Sequence, residues 1–222
     1  MRTAVAAAVV TTAALGTMVA SGAAAGATGV TGTTGSAGAV GAAGSGARVA
    51  AAPGFLDAGE LPPHSSSPWF AGTVTKGLPD PEPFCLEGAV PAGGGTYHRF
   101  FGTDYDTHAA QVSVVASSVT AAKALATSLE KKVAACAADW LRETPGGSAS
   151  WDDYGTVAAG DSAHVYGVHT SIPESEPGVN LFAVGRDGKT VTVVRWAEMG
   201  HLDQAPLAAF KKTTATAVNK LN

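Results

Sequence analysis

Cys85 and Cys136 are the only two cysteines in a chain of 222 residues, and they lie downstream of what reads as an export signal. An even cysteine count in an exported chain reads as a disulfide, because the oxidising space outside the cytoplasm lets the bond form and persist. That pairing closes a loop of 51 residues. In the chain-entropy view it stabilises the fold by roughly 4 kcal/mol. The alternative is a redox switch. There is no C-x-x-C and no Lys, Arg or His cluster near Cys136 to activate a thiolate, so a structural clamp is the reading adopted.

The export signal itself is short. Arg2 supplies a positive start, residues 4–20 are apolar to neutral, and Ala23-Ala24-Ala25 offers a small-residue cleavage site, which is the order of a secretory signal peptide. The rival is an uncleaved anchor. The run is poor in Leu, Ile and Phe and soon fills with Gly, Ser and Thr, a weak bilayer span. No cysteine at the cleavage site invites lipid, and no twin-arginine pair is present. Residues 26–52 are nearly all Gly, Ala, Ser, Thr and Val. Such a tract buries too little apolar surface to offset its ordering entropy and is expected to be a flexible arm. Residues 53–222 are expected to form one domain.

The net charge is −4, and loss of residues 1–25 removes Arg2 alone among the charged residues, leaving about −5. An acidic chain of this kind argues against nucleic acid or an anionic membrane as partner. Most of the prolines stand in residues 62–95, from Pro62 and Pro63 to Pro91, so this stretch should be mostly loop.

Hydrophobic spacing then supplies the elements. Residues 55–61 suit one helical turn, and 97–101 a short aromatic strand. In 109–116, Val112, Val114 and Ala116 face one way and Gln111 and Ser113 the other, a half-buried strand. Ser117 or Ser118 can cap a helix over 119–141. There Ala122, Leu125, Leu129, Val133, Cys136 and Trp140 recur every three or four residues, with Glu130, Lys131 and Lys132 on or near the opposite side. Pro145-Gly146-Gly147 ends it. Three strands follow at about 151–157, 163–171 and 179–186. Asp187-Gly188 is a hairpin signal leading into 189–198, where Val191, Val193 and Arg195 oppose Thr192, Val194 and Trp196. Asp203 is placed to cap a last helix with an inner stripe of Leu207, Phe210, Thr214, Ala217, Val218 and Leu221. The order β-β-α-β-β-β-β-α implies an α+β domain: a twisted antiparallel sheet with a long amphipathic helix and a C-terminal helix packed on it.

Several segments together carry a resemblance. They are a Cys in a Pro-rich loop, Tyr97-His98-Arg99-Phe100, Ala110–Val115, a helix with a late Cys136, Ala159–His164, Val184–Arg186 and a terminal amphipathic helix. The pattern resembles the extracellular sensor domain of PknH-type actinobacterial receptor kinases and its stand-alone secreted and lipoprotein relatives, over roughly residues 55–222. The resemblance implies a twisted sheet with a cleft and a ligand-sensing role rather than a chemistry. This chain has no kinase domain and no transmembrane helix, and one cysteine pair where kinase-linked members can have more. Direct signalling is therefore not expected of it, and no ligand residue carries over.

Gly160-Asp161-Ser162-Ala163-His164 is similar to the nucleophile segment of trypsin-like proteases. Ala163 and His164 stand where glycines build the oxyanion hole, and no matching histidine segment lies upstream. A tight turn entering a strand, with Asp161 bonded to backbone amides, is the plainer reading. His64, His98, His108, His164, His169 and His201 form no metal motif, although His98 and His108 sit on strands that can be neighbours. Trp69, Phe70, Tyr97, Tyr105, Trp151, Tyr154 and Trp196 are stacking candidates for sugar rings, with Trp69 and Trp151 the better placed, or else sheet packing. Arg99, Arg186 and Arg195 would line an anionic cleft if they shared a face. Gly93-Gly94-Gly95 lacks the Lys-Ser/Thr of a nucleotide loop and reads as a turn.

The sequence thus points to a secreted, extracellular, non-enzymatic sensor-like domain of the cell envelope. It is expected to use no cofactor and no metal, and to bind a small ligand, a cell-wall glycan or an envelope protein. A glycan module and, further off, a secreted hydrolase built on Ser162 are the alternatives. The chain recovered from culture supernatant is expected to lack about the first 25 residues. An intact mass that still begins at Met1 overturns the cleaved leader.

Overall fold

The computed structural model describes residues 51–222; the expected signal peptide and nearly all of the expected arm lie outside them. A single 3-10 turn, Ala58–Glu60, opens the described chain. Strands β1 (Phe70–Ala71), β2 (Thr75–Lys76), β3 (Thr96–Gly102) and β4 (His108–Val115) precede helix α1 (Val119–Glu143). Strands β5 (Ser148–Thr156), β6 (Ser162–Ser171), β7 (Gly178–Asp187) and β8 (Thr190–Met199) follow, then a second 3-10 turn (Leu202–Gln204) and helix α2 (Leu207–Asn219). All eight strands join one antiparallel sheet in the order β1-β3-β4-β8-β7-β6-β5, with β2 also paired to β3. The α+β architecture read from the sequence is the one observed.

The helices take opposite faces. On one, Ala122, Leu129 and Val133 of α1 pack on Val112, Val114, Tyr166, Val168, Phe182, Val184, Val191 and Val193. On the other, Phe210 and Ala217 of α2 pack on Ala109, Val165, Leu181, Ala183, Val194 and Trp196. Strand residues alternate between faces with period two, so a sheet covered on both sides buries every position. β7 accordingly reads as one buried run from Val179 to Arg186. The helices form because their apolar residues fall on one stripe. α1 is capped by the Ser118 hydroxyl, which accepts from the Ala121 N–H at 3.0 Å.

Cover on the second face corrects one expectation. Val115 breaks the alternation and suits partial cover on the face of Gln111 and Ser113; the cover is instead complete, and both are fully buried. The segment around Leu56 lies over them. Gln111 Oε1 accepts from the Leu56 N–H at 2.8 Å, its amide donates to Thr192 Oγ1 at 3.2 Å, and Ser113 and Thr192 hydroxyls meet at 2.9 Å. Buried polar groups persist only when bonded, and here they are bonded to each other and to the incoming chain. The same segment is stapled to the end of α2. Lys220 donates to Asp57 at 3.0 Å and to Glu60 at 2.5 Å, and Thr213 donates to the Glu60 carbonyl at 2.6 Å. The approach is so close that a Cβ on Gly54 would stand 2.0 Å from the Lys220 carbonyl oxygen.

Three local expectations shift. Asp203 lies in the second 3-10 turn, and α2 starts after Pro206, whose side chain makes no cap and whose carbonyl accepts from the Phe210 N–H at 2.9 Å. Asp187 still pairs with Thr190, so the hairpin turn is Gly188-Lys189, with Gly188 at φ 55°. Glu130 is half-buried beside Tyr166 instead of lying on the open side of α1.

The Pro-rich stretch is mostly loop, interrupted by β1 and β2, which lie end to end along β3. At the other edge, β5 carries a register shift between Asp153 and Thr156, with Gly155 at φ 81°. The loop is fastened by the Cys85–Cys136 disulfide, with the two Cα atoms 5.4 Å apart. Cys85 itself sits at φ 67°, a region non-glycine residues seldom occupy. Leu86 and Val90 pack from this loop into the α1 face. Cys136→Ser is expected to lower unfolding free energy by roughly 4 kcal/mol, read from urea titration. Unchanged stability in the variant would show that the bond carries no load.

Candidate functional site

Along the α1 face, side-chain volume falls off toward one end of the sheet. Val193, Val112 and Val184 fill the core. Beyond them stand the small residues Ala197 and Gly178, beside Trp140 near the end of α1. The missing volume is a recess of about 400 Å³, walled by Phe84, Trp140 and Met199 and floored by Arg195 and Asn180.

Arg195 is placed there by register. It continues the inward parity of Val191 and Val193 on β8 and stands opposite Ala110 of β4 and Phe182 of β7. Its Nε donates to Asn180 Oδ1 at 2.8 Å, and Phe84 lies 6.0 Å from its guanidinium carbon. Among the described residues no carboxylate forms an ion pair with it, and its terminal nitrogens meet no acceptor. Burial pulls its pKa down to about 10, against which the charge of Glu87 pushes back only in part. The cation persists at neutral pH and has two free terminal donor groups between apolar walls. A guanidinium so held matches a carboxylate or phosphate fork.

The expected arginine cleft does not form. Arg99 lies on the α2 face, where it donates to the Leu56 carbonyl at 2.8 Å and stacks 5.5 Å over Phe101. Arg186 is buried at the hairpin end of β7 and bonded to Asp161 and to the Gly188 carbonyl. Only Arg195 keeps its charge open. The sequence did carry a signal: an arginine on the same parity as two core valines. Phe84, Asn180 and the small residues that leave the space were not legible as a site.

Six histidines separate into local pairs. His98 bonds the Gly77 carbonyl and His108 the Asp106 carbonyl. They lie at opposite ends of the β3–β4 ladder and do not meet. His64 stacks on Tyr105. His169 Nε2 and His201 Nδ1 stand 3.1 Å apart, and burial lowers the His169 pKa, helped by the His201 charge. Among the described residues no three His, Cys, Asp or Glu side chains are grouped to hold a metal.

His164 bonds Asp153 at 2.5 Å and stacks flat on Tyr166 with centroids 4.4 Å apart. Burial drives the Tyr166 phenol up to about 12, with the charges of Glu130 and Asp153 adding to it, so it stays neutral. Burial also raises Glu130. Ser162 begins β6 two residues before His164. The residues after it run straight into the ladder with β7, so their amides serve the sheet and no oxyanion pocket follows the serine. Asp161 accepts from the Gly188 N–H at 3.1 Å, the backbone-bonded turn expected of it.

Among the aromatic side chains, Trp196 is buried, Tyr154 packs on the α2-side core, and Trp69 also packs there while its Nε1 donates to the Pro62 carbonyl at 2.7 Å. These three serve the fold. Trp151 is 43% exposed and lies 6.3 Å from Tyr166, and Phe70 and Tyr105 are also exposed. Gly93-Gly94-Gly95 leads into β3 as a turn, with the Gly95 carbonyl accepting from the Val115 N–H at 2.9 Å.

No protein-family profile and no curated protein sequence matches the chain. Among solved structures, it is similar to the extracellular domain of PknH from Mycobacterium tuberculosis. The likeness has 12% sequence identity and a TM-score of 0.38, and covers 73% of this chain and 97% of that one. This is a distant similarity of fold.

Asp57, Asp153 and Asp161 all have their pKa held below 3.8, by hydrogen bonds from Lys220, His164 and Arg186 respectively as the leading cause. A depressed folded-state pKa contributes stability that is present above the unfolded value and lost as pH falls through the folded one. Asp161→Asn is therefore expected to be less stable than the parent near neutral pH, with the gap narrowing as pH falls below 3.8. Urea titrations across that range check it, and a gap that is independent of pH would contradict the assignment.

Proposed function

We propose that residues 53–222 form a secreted, non-enzymatic ligand-binding domain of the cell envelope, and that its site is the recess floored by Arg195. The observation that carries this reading is the Arg195 guanidinium: half-buried, fixed through Nε by Asn180, and open at both terminal nitrogens toward a pocket of about 400 Å³. Burying a cation without a partner is costly, and folds retain one where a ligand supplies the missing acceptor. The volume falls in the range of small-molecule sites, roughly 300–1,000 Å³.

Export supports the reading from a separate side. The leader-like N-terminus, the cysteine pair and the disulfide it forms all fit an oxidising compartment. No helix among the described residues is long and apolar enough to cross a membrane. A sensor-like role follows the sequence resemblance to kinase-linked extracellular domains; in this chain it amounts to capture of a ligand, with any relay left to a partner in the envelope. Trp151, exposed beside the aromatic Tyr166, supports a second reading as a glycan contact.

A melting scan of the secreted chain against carboxylates, phosphorylated metabolites, sugars and cell-wall fragments tests the proposal. A ligand at a hundred times its dissociation constant adds about 2.7 kcal/mol, a shift of several degrees for a domain of this size. The shift is expected to vanish in Arg195→Met while the variant stays folded by circular dichroism. A shift that survives Arg195→Met but is lost in Trp151→Ala transfers the site to the glycan surface.

A further inference from the structure

The α1-facing residues of β7 and β8 bring one cation and no carboxylate to the recess. Arg195 and Ala197 continue the parity of Val193, and Asn180 stands opposite Ala197 with the parity of Phe182. Glu198, the next residue, faces the α2 side with Trp196, where it accepts from Thr107 Oγ1 at 3.2 Å. The Arg195 Nε can only donate, so the Asn180 atom it meets is the carbonyl oxygen, and the Asn180 amide nitrogen is left free. Among the described residues no buried side-chain nitrogen or oxygen lacks a hydrogen-bond partner. The terminal nitrogens of Arg195 and the amide nitrogen of Asn180 have none, so all of them open onto the recess that these residues line. Around these donors the wall is largely apolar, with Phe84 and Trp140 on either side of the disulfide and Ala197 and Met199 from β8.

That lining selects among anions. Arg195 is its only arginine or lysine, and Glu87 lies close enough for its charge to act on Arg195. One negative charge on a ligand is therefore matched. The second charge of a phosphate would meet Glu87 and no further lysine or arginine, and a phosphate would leave the aromatic walls uncovered. A neutral sugar would leave the guanidinium uncompensated.

Resting on the reading of this recess as a ligand site, we infer that its ligand is a small monocarboxylate with an apolar body, its carboxylate on Arg195 and Asn180 and its body against Phe84 and Trp140. The guanidinium takes the two carboxylate oxygens in a forked hydrogen bond, and the Asn180 amide donates to a lone pair that remains. Burial of the body adds affinity in proportion to the apolar area it loses to the walls.

The test is calorimetric titration of the secreted chain with hexanoate, hydrocinnamate, acetate, hexanamide and inorganic phosphate. Hexanoate and hydrocinnamate are expected to bind at least about tenfold more tightly than acetate, which lacks the body, and than hexanamide, which lacks the charge. Phosphate is expected not to bind. Arg195→Met is expected to abolish binding. Asn180→Asp keeps the volume of the side chain and gives Arg195 a carboxylate from within the fold, so it is expected to abolish binding too, and it serves where Arg195→Met does not fold. Trp140→Ala is expected to narrow the preference for hexanoate over acetate. If acetate, hexanamide or phosphate binds as tightly as hexanoate in an Arg195-dependent way, the apolar-carboxylate inference falls and the ligand site stands. Hexanoate binding that survives Asn180→Asp undiminished overturns the placement on Arg195. Failure of both hexanoate and hydrocinnamate to bind the folded chain overturns the inference, and the broader panel above then decides the site on its own.

Discussion

One covalent bond holds the side of the domain on which the recess lies. The loop between β2 and β3 has almost no regular hydrogen bonding, yet it must lay Leu86 and Val90 on the α1 face. The Cys85–Cys136 bond ties it to the C-terminal third of α1. Phe84 precedes one cysteine and Trp140 follows the other by one helical turn, so both aromatic walls of the recess are positioned from the two ends of the same bond. Cys85 at φ 67° belongs to this arrangement: the chain reverses at that residue to present its sulfur to the helix. A clamp outside the sheet thus determines the shape of a pocket on it.

The opposite face depends on polar groups. Gln111, Ser113 and Thr192 form a buried ladder whose outermost acceptor is used by the Leu56 amide. An apolar residue at 111 would fill the same space but give the incoming segment nothing to register on. Lys220 bonded to Asp57 and Glu60 then joins the first and last described elements across the sequence. Both faces have apolar cores, but one is fastened by a covalent bond and the other by polar bonds to the chain's first described segment.

Much of the fold was legible because it is written at short range. The i, i+3, i+4 stripe of α1 from Ala122 to Cys136, the alternation in β4 and β8, and the turn residue Gly188 each act within a few residues of themselves. What the sequence did not show depends on distant partners. The complete burial of Gln111 was not legible because its cover, Leu56, comes from 55 residues away. Glu130 looked free because Tyr166 is contributed by a strand beyond the helix. The recess is harder still, since it depends on small residues, Gly178 and Ala197, on two neighbouring strands near the end of α1. Arg195 alone of the site was visible, as a charge on an apolar parity.

The two edges of the sheet differ, with short strands on one side and a register shift on the other. At the first, β1 and β2 already occupy the outer hydrogen bonds of β3. At the second, β5 turns at Gly155 and exposes Asp152 and Asp153. Short edges, irregularities and charges are the devices by which sheets avoid pairing with foreign strands. Extended peptides often bind by adding themselves to an open edge and reading it through the main chain. Both edges of the described sheet carry such devices, which disfavour main-chain addition. Recognition through side chains on the faces would then make selectivity a property of a few residues that can be exchanged one at a time without disturbing the sheet.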